Sequence, residues 1–379
     1  MNESRIDEYG ANMTFADPER ATGRASRVKQ LFRRAWADAT NPKLCIRSPR
    51  FDWLIFIGSP IICLGICLFL AQTPLWEVRE LPLHEDDAIL NAASGFLTAS
   101  HLFAVFFRSH GNATVFWQWP LRFTLVPVLL FFGLGLLPWF MVIMSVIATF
   151  WDVYHSAMQT FGLSRIYDMK AGNPAKVGRM LDSWMNYVLY AGPIAAGLVL
   201  MDHVEDFGEF EQLGWAALAA FPQTVEGFAG TLRWLVIGGS LAMVAVYVIG
   251  YWRLAKQGYK ISTQKVALLA STALTSIIAW GFNPFFIAFV VMNAFHALQY
   301  FAIVWIKEKK NLSTRFGLVG KPWGKPALIA LFFLPAFGFG LVQEWVNIPS
   351  DWLYAFVLSV ALLHFWYDGF IWSVRKKQV

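Results

Sequence analysis

The chain has 379 residues, 57% of them hydrophobic and 15% charged, with 34 Phe, 18 Trp and a mean hydropathy of +0.47. This balance excludes one large water-soluble core, and apolar runs near the roughly 20 residues that span a bilayer recur along its length, as in a multi-pass membrane protein. The formal charge of +6 does not describe a nucleic-acid surface, because Arg and Lys recur beside the apolar runs as topology signals instead of gathering in one patch.

Residues 1–50 carry Arg5, Arg20, Arg24, Arg27, Lys29, Arg33, Arg34, Lys43, Arg47 and Arg50 among polar residues. They are expected to form a basic cytoplasmic tail, either solvated or with a short amphipathic helix near Ala25 to Ala37 on anionic headgroups. The chain opens without a short signal peptide, so the first span is expected to stay in the mature protein. It covers about Asp52 to Ala71 and is followed by an acidic, non-cytoplasmic loop with Glu77, Glu80, Glu85, Asp86 and Asp87, where His84 reads as an exposed loop residue. A second span, about Ala88 to Phe107, carries His101 and ends at Arg108; Trp117 and Trp119 beyond it suit an interfacial belt.

Spans three and four, about Phe123 to Leu137 and Pro138 to Leu163, are separated only by a Gly-Leu-Leu-Pro turn and form a hairpin. The basic residues Arg165, Lys170, Lys176 and Arg179 follow inside. Span five, about Leu181 to Met201, leads to an acidic outer loop, in which Trp215 to Phe221 reads as interfacial or re-entrant. Span six, about Trp234 to Trp252, returns to Arg253, Lys256, Lys260 and Lys265. Spans seven and eight, about Val266 to Phe282 and Pro284 to Ile306, meet at Asn283-Pro284 and end at Lys307, Lys309 and Lys310. Spans nine and ten, about Pro326 to Leu341 and Trp352 to Val374, close the chain at Arg375-Lys376-Lys377. The expected fold is an all-α polytopic bundle of about ten spans with both termini cytoplasmic, residues 51–379 forming one domain. Cys45, Cys63 and Cys67 make no disulfide framework and read as packing residues.

Ionisable groups at membrane depth are costly and usually face a bundle interior, where they mark a site. Spacings of three and four place Asp152, His155 and Gln159 on one helix face, and likewise Asn293, His296 and Gln299, with Tyr300 beside them, and His364 and Asp368. His101 adds a fourth helix. Measured from the basic residue that ends each helix, His101 is seven residues deep, His155 ten, His296 eleven and His364 eleven. At about 1.5 Å per residue these are depths of roughly 10 to 17 Å in the cytoplasmic half. An isolated buried histidine usually satisfies one polar neighbour; four at one depth predict a shared metal site.

Neutral imidazole suits zinc, iron, copper and nickel, and adding Asp152 and Asp368 leans toward iron, zinc or manganese. Either carboxylate would ligate directly or hold its histidine's tautomer. Asn293, Gln299, Gln159 and Tyr300 are candidates for bonding a water or substrate oxygen, against the plainer role of interhelical glue. Arg108 and Arg165, near the cytoplasmic mouth, are candidates for an acidic headgroup, against ordinary topological arginines.

Single histidines on several helices at one depth, His101, Asp152 with His155, His296 and His364 with Asp368, resemble the multi-histidine membrane oxygenases, most of all the Brp/Blh carotene-cleavage group. The resemblance implies iron on the histidines and oxidative cleavage of a carotenoid. The paired HxxxH and HxxHH boxes of desaturases and hydroxylases are absent. The leading expectation is therefore a metal-dependent membrane oxidoreductase with a lipophilic substrate, membrane lipids around it, an electron donor and no nucleic-acid partner, placed in a bacterial-type inner membrane. A transporter passing protons or metal ions through the same cluster, and a haem protein using two of the histidines, are the alternatives.

Overall fold

The computed structural model describes residues 24–73, 89–345 and 350–372. The first part of the basic tail, the acidic loop with His84, the turn at 346–349 and the closing Arg375-Lys376-Lys377 lie outside the described residues. Every regular element among those described is helical. Among the described residues six helices are long and apolar enough to cross a membrane, and up to eight spans result if each of two bent pairs counts as one.

After α1 (Arg24–Ala39), which ends against the bundle where Gln264 donates to the Asp38 carbonyl and Trp53 to that of Ala39, the chain enters the first bent pair. Its first half runs through a π-helical turn, Asp52–Ile57, and its second is α2 (Ser59–Leu70), at 52° to it. Gly58 makes the bend, where a Cβ would come within 2.5 Å of the Trp53 carbonyl oxygen. Asp52 anchors the entry by accepting from the backbone N–H groups of Ile46, Arg47 and Ser48 and from the Tyr167 hydroxyl.

Next come α3 (Ile89–Phe103), continued by a short helix Val105–Ser109, α4 (Pro120–Leu136) and α5 (Pro138–Lys170). Leu137 alone separates the last two, as the Gly-Leu-Leu-Pro turn predicts. The second bent pair is α6 (Arg179–Ala196) and the segment Leu200–Leu213, at 105°. At its elbow a Cβ on Gly197 would run into the backbone carbonyls of Pro193 and Trp280. The remaining helices are α7 (Phe221–Lys256), α8 (Thr263–Phe282), α9 (Phe285–Arg315), α10 (Gly324–Trp345) and α11 (Asp351–Ile371).

Three helices outrun the apolar stretches that announce them. α5 continues from Leu163 to Lys170, α9 from Ile306 to Arg315, and α7 starts at Phe221, thirteen residues before Trp234. The interfacial piece expected over Trp215 to Phe221 is a short helix, Ala216–Ala219, running into the start of α7. Apolarity marks what a bilayer accepts, whereas a helix goes on through charged residues as long as each N–H finds its carbonyl. α9 is the axis of the molecule. Met292 and Phe295 belong to one hydrophobic core with Met185, Leu189 and Trp280, while Tyr300, Phe301 and Val304 belong to another with Phe107, Tyr167, Phe332 and Tyr367. His296 stands between the two cores.

Candidate metal centre

Four helices each deliver one histidine to the same place. His101 lies in the last turn of α3, His155 in the middle of α5, His296 on α9 and His364 on α11, all of them buried. Their rings close a quadrilateral whose sides, taken in the order His101, His296, His155, His364, measure 4.9, 5.1, 4.6 and 5.1 Å between ring centres. Adjacent rings stand edge to face, at 67° to 84°. For metal–nitrogen bonds of about 2.0–2.1 Å, four imidazoles on one ion would put neighbouring ring centres about 4.5 Å apart in a square and about 5.2 Å apart in a tetrahedron. The observed sides fall between these limits.

The ring nitrogens show how the cluster is set. His364 is fixed by its Nδ1, 3.0 Å from the Leu102 carbonyl oxygen, which leaves Nε2 facing inward, 3.1 Å from His155 Nε2. His101 and His296 have both ring nitrogens buried without a hydrogen-bond partner, although the carbonyls of Leu97 and Thr98 lie one turn back from His101. A buried polar atom left unpaired costs free energy comparable to a lost hydrogen bond, and an ion among the rings would relieve one nitrogen of each. Ligand atoms of His101, His296 and His364, and of His155, His364 and Asp368, come within 4.8 Å of one another in two groups that share His364. Because Nδ1 of His364 is engaged at Leu102, its Nε2 is the atom left to both groups.

Asp368 completes the set. Its Oδ1 accepts from the Tyr300 hydroxyl and from Trp372 Nε1, each at 2.8 Å. Its Oδ2 lies 3.9 Å from His155 Nε2 and 3.8 Å from His364 Nε2. At 13% side-chain exposure, against 3% and 0% for those histidines, it is the accessible edge of the group. Asp152 belongs to neither group of ligand atoms.

Most of the remaining candidates tie one segment of the chain to another in this structure. Gln159 donates to the His296 carbonyl and to Gln299 Oε1, Gln299 donates to the Phe56 carbonyl in the π turn, and Asn293 donates to Phe289 on its own helix. Arg108 bonds Glu308 at 2.6 Å and the Ile371 carbonyl through Nε and Nη2. Arg165 bonds Asp168, Asp182 and the carbonyls of Pro174, Ala175 and Val177. Sequence reading missed Trp372, although Asp368 and Trp372 stand at i,i+4, passed over Glu308, and took Lys265 for a charge at the end of a span.

A cavity of about 260 Å³ lies between α5, α6 and the segment after the elbow, lined by Val153, Tyr154, Ala157, Tyr190, Ile194 and His203 among others. Its α5 residues are on the face opposite His155, so it is separate from the histidines. No protein-family model, curated protein or solved structure matches the chain.

Proposed function

We propose that His101, His155, His296, His364 and Asp368 hold one transition-metal ion and that the protein is an integral-membrane, metal-dependent oxidoreductase acting on a lipophilic substrate. The observation that carries the reading is the closed ring of four imidazoles, two of them with every nitrogen buried and unpartnered. The donor set fits a divalent first-row ion: imidazole with one carboxylate suits iron, with zinc and manganese next. One carboxylate against two positive charges leaves the ion short of neutrality, which favours an anionic or polarisable co-ligand beside the half-buried Asp368. When bound, iron supplies one-electron and dioxygen chemistry that no side chain of this chain offers.

The chain's own residues set the conditions for that chemistry. Leu102 fixes the His364 tautomer, Gln159 and Gln299 tie the His296 backbone to the π turn, and the aromatic packing around the cluster excludes bulk water. Sides of about 5 Å between rings leave no width for a porphyrin, which speaks against a haem. Substrate and electron donor would come from the membrane, and the resemblance to carotene-cleavage enzymes makes a polyene the first to try.

The same proposal includes topology. The ten helical segments beginning with the first bent pair are read as about ten spans, with residues 1–50 and the C-terminal end on the basic, cytoplasmic side of a bacterial inner membrane and residues 51–379 as one domain. Elemental analysis and an absorption spectrum of purified protein test the core of the reading. About one iron per chain is expected, lost in His296→Ala. A preparation that contains no metal and takes up none, or one with a Soret band, would overturn it.

A further inference from the structure

Resting on that metal reading, we infer that Tyr300 and Trp372 are positioning residues that present Asp368 to the ion through Oδ2 alone, and that Arg108 braces the pair by fixing Trp372. A carboxylate oxygen has about two lone-pair directions. Those of Oδ1 are taken by two donors at 2.8 Å, the Tyr300 hydroxyl from α9 and Trp372 Nε1 from the end of α11. Oδ2 faces His155 Nε2 and His364 Nε2 at nearly equal distances, 3.9 and 3.8 Å, too long for hydrogen bonds. With metal bonds of about 2.0–2.2 Å, an ion joining Oδ2 to either nitrogen spans up to about 4.3 Å, so both separations can be bridged. The carboxylate is thereby held monodentate.

Trp372 needs fixing, because it stands at the first position after α11, where carbonyls are left without helical partners. Arg108 supplies it. Its guanidinium carbon is 4.0 Å from the centre of the Trp372 ring, and its Nε and Nη2 donate to the Ile371 carbonyl at 3.2 and 3.0 Å. The guanidinium is in turn held by Glu308 Oε1, while Glu308 Oε2 accepts from Asn112 and Asn311. Arg108 follows His101 by seven residues through the short helix Val105–Ser109, so one segment of chain sets both a ligand and the brace of another. Outer-shell partners of this kind alter metal affinity by on the order of 10- to 100-fold.

The test uses the full chain loaded with Co(II), whose visible bands change in intensity and position with coordination number. Tyr300→Phe and Trp372→Phe each remove one donor while keeping the ring, and Trp372→Phe keeps an aromatic face under Arg108. The double variant frees Oδ1 to ligate as well. Its Co(II) bands should weaken and shift, as for a higher coordination number, and Co(II) affinity should fall by about 10- to 100-fold. Asp368→Asn should shift the bands in a different way by weakening or removing the oxygen ligand. Thermal scanning on a size-exclusion column checks folding, and a misfolded double variant is replaced by the two single ones. An unchanged spectrum and affinity in folded Tyr300→Phe and Trp372→Phe variants, with Asp368→Asn altered, would overturn the positioning roles and leave the metal centre standing. If the native protein takes up no Co(II), the metal reading itself fails, and with it this one.

Discussion

Lys265→Met tests how four helices are joined at one end of the bundle. Lys265 of α8 is 3% exposed in its side chain and contacts Asp168 of α5 and Asp182 of α6, each at 2.7 Å, and the hydroxyl of Tyr251 of α7 at 2.5 Å. Arg165 makes the second bridge to both carboxylates, at 2.7 and 2.6 Å, so two cations balance two anions in a buried site. Removing one cation leaves a net buried negative charge, and breaking a buried pair in this way costs about 3–5 kcal/mol. Asp168→Asn in the same chain removes the excess charge and should recover much of that loss, giving a coupling energy of about 0.5–3 kcal/mol in a double-mutant cycle. Thermal scanning in detergent with a fluorescent reporter reads the shift, and metal content per folded molecule should stay at the native level because the ligands are untouched. A single variant as stable as the native protein, or a double variant less stable than either parent, would show that the quartet is not the joint described here.

Three further outcomes follow from other parts of the structure. Asp152→Asn should keep the metal content of the native protein, whereas His155→Ala should empty the site; equal loss in both, measured by elemental analysis on folded protein, would return Asp152 to the ligand shell. Cys45, whose thiol is pushed up to about 11 by burial and then by the charge of Asp52, is ionised in fewer than about one molecule in a hundred at pH 8. In a Cys63→Ala, Cys67→Ala background it should resist maleimide until detergent denaturation, and fast labelling of the native protein would refute this. Gly340→Ala places a methyl group against Ser100 and within 2.6 Å of the Phe96 carbonyl oxygen. It should push α10 from α3 and lower metal affinity through His101 as well as stability; an unchanged affinity would mean that α3 is held from elsewhere.

Much of the site was legible because polar side chains are rare in apolar helices. His101, His155, His296 and His364 stood out one by one, and counting back to the basic helix ends placed them at one level before any contact was known. Spacing could not say which carboxylate turns inward. Asp152, three residues before His155, and Asp368, four after His364, are both near neighbours on their helices, and the rotation of each helix in its packed groove brings only Asp368 into a group with the histidine nitrogens. Partners from distant segments were equally hidden. Arg108 and Arg165 looked like mouth residues because Glu308 and Asp182 reach them only through the tertiary fold. Helix ends were misjudged where hydrogen bonding continues past the apolar stretch, as at Glu308, which the extension of α9 buries.

Of the 36 residues of α7, only Val225 and Tyr251 are buried, and its most apolar window has none. Those two lie 26 positions apart, about 39 Å along the axis. The helix is held by Val225 near the elbow segment, by Tyr251 at the Asp182–Lys265 quartet, and between them along one side by α6, where Ser240 meets Gly192 and where Met243 and Tyr247 pack against the core of Leu189 and Tyr190. Unravelling its outward face in hydrocarbon would expose backbone groups at several kcal/mol apiece, so it yields by tilting together with α6. Changes of bilayer thickness are then taken up at the periphery of the molecule, away from the axis where His296 stands.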